Sequence, residues 1–116
     1  MSAGKRLLLV EDERSLLMLV GDALEDTGFD VVPAHDGVQA MARLQDGGGF
    51  DYVVSDVSMP GGISGFDIAE HVLASESQAR IVLVSGLARG QLPPLPAGVT
   101  FLPKPYRISQ LLDVLG

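Results

Sequence analysis

The chain has 116 residues and a formal net charge of −7, a length that fits one domain spanning residues 1–116 and leaves no room for a second. Apolar residues make up 47% and charged residues 20%, which excludes intrinsic disorder, and the acidic balance argues against direct binding to nucleic acid or to an anionic membrane. The absence of cysteine and of any apolar run long enough to cross a membrane excludes disulfide scaffolds, thiolate metal sites and membrane spans, and favours a cytoplasmic location.

Five short segments rich in Leu and β-branched residues alternate along the chain with segments of helical periodicity. Their near-continuous apolarity predicts strands that are buried on both faces, as in a parallel sheet. In chain order the predicted strands are residues 5–10, 29–33, 51–55, 80–85 and 99–102.

The segments between the strands place apolar residues at helical spacing. The predicted helices are residues 13–27, 37–46, 64–75 and 107–115. In the second of these the apolar stripe is weaker and comprises Val38, Met41, Ala42 and Gln45. Residues 86–98 contain Pro93, Pro94 and Pro96, which cannot lie inside a helix, so the helix expected between the fourth and fifth strands is predicted to be short or absent.

The alternation of strands and helices predicts an α/β fold with a parallel sheet. We expect a flavodoxin-like (βα)5 three-layer sandwich with strand order 2-1-3-4-5, in which the first and third strands are neighbours. Ligands of such sheets bind at the carboxyl ends of the strands, so residues at those ends are the first candidates for function.

Polar side chains stand at the carboxyl ends of four predicted strands. Glu11 and Asp12 follow the first strand, and Asp56 follows the third. Ser85 ends the fourth strand, and Lys104 follows the fifth. Carboxylates about 4–5 Å apart repel one another by roughly 4 kcal/mol, so three of them together require either a cation or shifted pKa values. Such an oxygen-lined pocket suits a hard cation such as Mg²⁺ or Mn²⁺. With a lysine to bind an anionic oxygen, this set suits phosphoryl transfer to a carboxylate.

Each of these residues also has a simpler interpretation when it is taken alone. Asp12 suits the cap of the first helix, and Asp56 suits a turn. Ser85 suits a strand-end cap, and Lys104 suits a solvated lysine. Their occurrence at one edge of a single predicted sheet favours a shared site over four separate structural roles.

Four segments resemble the receiver domain of two-component response regulators. They are residues 8–13 (LLVEDE), 51–60 (DYVVSDVSMP), 82–86 (VLVSG) and 101–106 (FLPKPY). They occur in the family's order, and the resemblance extends from Leu7 to Leu115. It implies a signalling switch, not a turnover enzyme acting on an external substrate.

The resemblance implies a role for each residue of the acidic cluster. Asp56 would accept a phosphoryl group from a sensor histidine kinase, a histidine phosphotransfer protein or a small phosphodonor. Mg²⁺ would be held by Asp12, Asp56 and the backbone carbonyl of Ser58, with Glu11 acting through water. Lys104 would pair first with Asp56 and then with a phosphoryl oxygen.

The resemblance also implies how the phosphoryl group is sensed. Ser85 would hydrogen-bond it, and Phe101 would be the aromatic switch residue. The bond between Lys104 and Pro105 is commonly cis in this family. The surface formed by the fourth and fifth strands and the helix at 107–115 would then report the change to an unidentified downstream protein.

Departures from the family pattern leave alternatives open. The loop after Met59-Pro60 is one residue longer than usual, and neither Ser58 nor Leu87 is an acid or amide that could assist an attacking water, which indicates slow self-hydrolysis. The alternative hypotheses are a small aspartyl-phosphate phosphohydrolase, a flavodoxin-like cofactor binder and a degenerate, unphosphorylated interaction domain. No effector domain is expected within this length, and the chain fits either a free-standing regulator or a receiver from a hybrid kinase.

Overall fold

A computed structural model describes residues 5–46, 49–75 and 78–116, so residues 1–4 of the expected domain lie outside the described part. The described residues form one parallel sheet in the order β2-β1-β3-β4-β5, which confirms the predicted topology. The strands are β1 Arg6–Val10, β2 Asp30–Ala34, β3 Tyr52–Asp56, β4 Arg80–Ser85 and β5 Val99–Pro103. The helices are α1 Arg14–Asp26, α2 Gly37–Asp46, α3 Gly65–Ala74 and α4 Ile108–Leu115. In this described part no helix is long and apolar enough to span a membrane.

The sheet has a hydrophobic core on each face, because successive strand residues point to opposite sides. Along β1, Leu8 and Val10 belong to the core beneath α2 and α3, whereas Leu7 and Leu9 belong to the core beneath α1 and α4. The predicted burial on both faces holds for the inner strands β1, β3 and β4. The edge strands β2 and β5 are only partly buried, since each has a strand neighbour on one side.

The first helix begins one residue later than a cap at Asp12 would require. The capping side chain belongs to Glu13, whose carboxylate accepts a hydrogen bond from the backbone N–H of Leu16. Asp12 is thereby left exposed at the sheet edge. At the other end of α1, Gly28 has a φ of +107°, a conformation that favours glycine and ends the helix.

The predicted apolar stripe of α2 is wrong except at Met41, which packs against the core beneath α2 and α3. Val38 is 59% exposed, and Ala42 and Gln45 are exposed as well. The helix instead buries Gly37 and Ala40, because small residues let it approach the neighbouring loop closely. A Cβ atom on Gly37 would lie 2.7 Å from the carbonyl oxygen of Ile63, so a larger residue could not pack there.

The segment between β4 and β5 has no α-helix, as its prolines predict. Its regular structure is one 3₁₀ turn, Arg89–Gln91. Beyond the turn, Leu92 and Leu95 pack against the core beneath α2 and α3. The Arg89 guanidinium donates hydrogen bonds to the carbonyl oxygens of Leu92 and Pro93, at 3.4 Å and 3.0 Å. The segment therefore covers this part of the core without a helix.

Candidate functional site

The sheet topology brings the predicted carboxylates together. β1 and β3 are adjacent and in register, with Val10 beside Ser55, so Glu11 and Asp12 leave β1 next to Asp56 at the end of β3. Each of these three acids offers a carboxylate oxygen within 4.8 Å of the others. Glu11 and Asp56 are only 5% and 8% exposed, whereas Asp12 is exposed. The structure thus contains the acidic cluster that the strand ends predict.

Lys104 joins this cluster from β5, on the far side of β4. Its Nζ donates a hydrogen bond to Glu11 Oε1 at 2.8 Å and another to Asp56 Oδ2 at 3.0 Å. The backbone N–H of Lys104 is bound to the carbonyl of Ser85 at 2.8 Å, and the Lys104–Pro105 peptide bond is cis. Lys104 is therefore a member of the site and not a solvated lysine.

Burial and charge perturb the acid at the centre of the cluster. Burial raises the pKa of Asp56 from 3.8 to about 7; the charge of Glu11 adds to the increase, and the hydrogen bond from Lys104 opposes it. Burial by itself lowers the pKa of Lys104, but its hydrogen bonds to Glu11 and Asp56 outweigh that effect, so its pKa is raised. One lysine does not neutralise three acids, so ionised Asp56 calls for a further cation.

The oxygen set of the cluster fits a hard divalent cation. Glu11 commits both oxygens to protein donors, because Oε1 binds Lys104 and Oε2 accepts the N–H of Glu13 at 2.9 Å. Asp12 is exposed, and Asp56 meets Lys104 through Oδ2. Ser58 lies exposed in the loop just beyond β3, two residues after Asp56.

Ser85 and Phe101 occupy the neighbouring strands β4 and β5. Ser85 follows the residue paired with Asp56 and is 4% exposed. Its Oγ accepts a hydrogen bond from the N–H of Leu87 at 3.0 Å, so the strand-end cap considered above is present. The hydroxyl proton of Ser85 is not used in that bond. Phe101 is half-buried and pairs with Leu83.

A groove beside the cluster was missed by the sequence reasoning. Tyr106 lines it, and burial, followed by the charge of Glu11, raises the pKa of this phenol to about 12. Leu19 also lines it and is 66% exposed, so it departs from the buried face of α1. An apolar residue outside the buried stripe of α1 was the sequence signal that could have indicated this groove. The groove has a volume of about 470 Å³ and is lined by Glu13, Leu16, Leu19, Val20, Gly86, Lys104, Pro105, Tyr106 and Ile108.

A family model described as the response regulator receiver domain matches residues 7–115. The chain belongs to that family. The receiver domain is 35% identical over 115 residues to the sensor kinase CckA of Brucella abortus, an alignment that covers 96% of this chain and 12% of CckA. The chain spans less than half the length of the curated relatives it matches.

Solved receiver structures have the same fold. The chemotaxis protein CheY4 of Vibrio cholerae is 29% identical with a TM-score of 0.84, and the alignment covers 97% of each chain. The response regulator TrrA of Thermotoga maritima, solved in complex with Mg²⁺ and BeF, is 28% identical with a TM-score of 0.81, and the alignment covers 94% of each chain. Receiver domains are signalling domains of two-component systems, not turnover enzymes acting on external substrates.

Proposed function

We propose that this receiver domain is a Mg²⁺-dependent phosphorylation switch in which Asp56 accepts the phosphoryl group. The donor is a sensor histidine kinase, a histidine phosphotransfer protein or a small phosphodonor. The observation that carries the proposal is the bridge from Lys104 to Glu11 and Asp56, beside a third carboxylate, at the carboxyl ends of the strands. These are the groups that phosphoryl transfer to a carboxylate requires.

The transfer exchanges one bond to phosphorus for another. A carboxylate oxygen of Asp56 attacks in line, and an O–P bond forms as the P–N bond to the donor imidazole breaks. The electron pair of the broken bond stays on the imidazole nitrogen, which takes up a proton. Lys104 lies 3.0 Å from Asp56, where its ammonium group favours the ionised form of the acid before the reaction and pairs with a phosphoryl oxygen after it.

The chain offers a defined set of ligands for the cation. Asp12, Asp56 and the backbone carbonyl of Ser58 would hold it, with Glu11 acting through water. When bound, Mg²⁺ supplies positive charge that neutralises the phosphoryl oxygens. Mn²⁺ suits the same oxygen ligands. The TrrA complex with Mg²⁺ and BeF supports the presence of a cation site by similarity.

Ser85 and Phe101 convert the new charge into a change of surface. The hydroxyl of Ser85 has a proton to donate to a phosphoryl oxygen, since its present bond uses Oγ as the acceptor. Movement of Ser85 and of the Phe101 ring then shifts the surface formed by β4, β5 and α4, which a downstream protein binds. Neither Ser58 nor Leu87 is an acid or amide that could assist an attacking water, so self-hydrolysis is slow. The absence of cysteine supports a cytoplasmic location for this switch.

Intact-protein mass spectrometry after incubation with Mg²⁺ and a small phosphodonor tests this function. We expect the wild-type chain to gain the mass of one phosphoryl group and Asp56→Asn to gain none. Asp22→Asn is the matched control, because it removes an exposed carboxylate of α1 and should react like the wild type. Failure of the wild type to react at saturating donor and Mg²⁺, or an adduct on Asp56→Asn, would contradict the proposal.

A further inference from the structure

We propose that Gly65 and Ser55 are positioning residues that fix the backbone carbonyl of Asp56 and so direct its carboxylate. The inference rests on the proposed function, in which Asp56 is the nucleophile. Among the described residues, neither forms a hydrogen bond with Lys104 or with the other acids. Both lie against the backbone carbonyl group of Asp56, which is bonded to the Cα that carries the reacting side chain.

Gly65 is the first residue of α3, and it is buried against the end of β3. A Cβ atom at this position would overlap the carbonyl oxygen of Asp56 and lie 3.0 Å from Val57 Cα. Both neighbours are backbone atoms, so no side-chain rotation could relieve the overlap. The N–H of Gly65 also donates to the carbonyl of Val57 at 2.9 Å. The helix therefore begins this close to Asp56 only because residue 65 has no side chain.

Ser55 contacts the same carbonyl group from within the core. It is 0% exposed, and its Oγ donates a hydrogen bond to the carbonyl oxygen of Asp56 at 2.9 Å. The next N–H, that of Val57, is bound to the carbonyl of Val84 at 2.8 Å. The peptide group that follows Asp56 is thus fixed by the Ser55 hydroxyl, by the close approach of Gly65 and by the hydrogen bond from Val57 to β4.

A fixed peptide matters because the carboxylate lies at the end of a short side chain. The hydrogen bond from Lys104 to Asp56 depends on where the Asp56 Cα lies. Relief of the overlap caused by a Cβ at residue 65 requires a displacement of roughly 1 Å, and a misplacement of that size costs about 100-fold in rate. Loss of the Ser55 hydroxyl adds no volume, so we expect a smaller loss of rate in the same direction.

The test compares Gly65→Ala and Ser55→Ala with Ile68→Val, which shortens a fully buried side chain of the same helix. Each variant is incubated with a small phosphodonor at saturating Mg²⁺. We expect Gly65→Ala to lower the maximal rate constant about 100-fold, with the half-saturating donor concentration unchanged. The ¹³C NMR shift of the Asp56 carbonyl, recorded without Mg²⁺, should change in Gly65→Ala and Ser55→Ala but not in Ile68→Val.

Two results would overturn the inference. One is a folded Gly65→Ala variant that reacts as fast as the wild type or as Ile68→Val. The other, decisive if Gly65→Ala does not fold, is a Ser55→Ala variant with an unchanged rate and an unchanged Asp56 carbonyl shift. A wild-type chain that takes up no phosphoryl group would contradict the proposed function instead, and the carbonyl shift would then still decide whether the two residues position Asp56.

Discussion

Replacement of Asp56 by asparagine should make the metal-free fold more stable at neutral and alkaline pH. The Asp56 carboxyl is 8% exposed, and burial followed by the charge of Glu11 raises its pKa from 3.8 to about 7 against the hydrogen bond from Lys104. A pKa difference of that size lowers the free energy of unfolding by up to about 4 kcal/mol when Asp56 is ionised. Asparagine is neutral and can still accept a hydrogen bond from Lys104, so it avoids this cost.

The sign of the pH dependence follows from proton linkage. Because the pKa of Asp56 is higher in the folded chain, the folded state binds the proton more tightly than the unfolded state does. The contribution of this proton to the free energy of unfolding is fully present below about pH 3.8 and is lost as the pH rises to about 7. The advantage of Asp56→Asn should therefore grow across that window and stay constant above it.

Urea unfolding followed by circular dichroism, with EDTA to remove divalent ions, measures this difference at several values of pH. Asp22→Asn is the control, because it removes an exposed carboxylate and should leave the pH profile unchanged. The reasoning is refuted if Asp56→Asn is no more stable than the wild type at pH above 7, or if its advantage fails to narrow as the pH falls.

Three further outcomes are expected. Lys104→Met should raise the pKa of Asp56 above about 7, because the hydrogen bond that lowers it is lost; a ¹³C NMR titration of the carboxyl carbon measures this, and an unchanged titration would contradict it. Binding of Mg²⁺ should release protons from the wild-type chain below pH 7, and Mg²⁺ should bind more weakly to Asp12→Asn. Calorimetry in two buffers of different ionisation enthalpy measures both the proton release and the affinity. Equal affinities of the two chains for Mg²⁺ would argue against Asp12 as a ligand. Gly37→Ala should lower the free energy of unfolding by about 1–3 kcal/mol, because its Cβ would lie 2.5 Å from a loop side chain. Gly21→Ala, whose Cβ would have contacts of 3.8 Å and longer, should instead raise the free energy of unfolding by up to about 1 kcal/mol. Urea unfolding of the two variants should therefore give changes of opposite sign.

The fold could be predicted because its strands are short apolar runs with clear boundaries. Buried parallel strands cannot alternate polar and apolar residues, so they stand out from the helices between them. Sheet order then brought Glu11, Asp12 and Asp56 together without any need to know side-chain conformations. Lys104 was predicted in the same way, from its place after the last strand.

Details that depend on close packing could not be predicted. The fully buried residues of α2 are Gly37 and Ala40, small residues that carry little hydropathy signal although they decide how closely the helix approaches its neighbours. The N-cap of α1 is Glu13, although Asp12 is the better candidate by residue type. The contacts of Gly65 and Ser55 with the Asp56 carbonyl depend on backbone positions that no residue pattern specifies.

The central claim is that a carboxylate oxygen of Asp56 becomes bonded to phosphorus. Borohydride reduces an aspartyl phosphate to homoserine, so reduction of the chain after reaction with a phosphodonor and Mg²⁺, followed by peptide mass mapping, locates the modified residue. We predict homoserine at position 56 and at no other acidic residue. Homoserine elsewhere, or its absence from a chain that has incorporated phosphate, would contradict the claim.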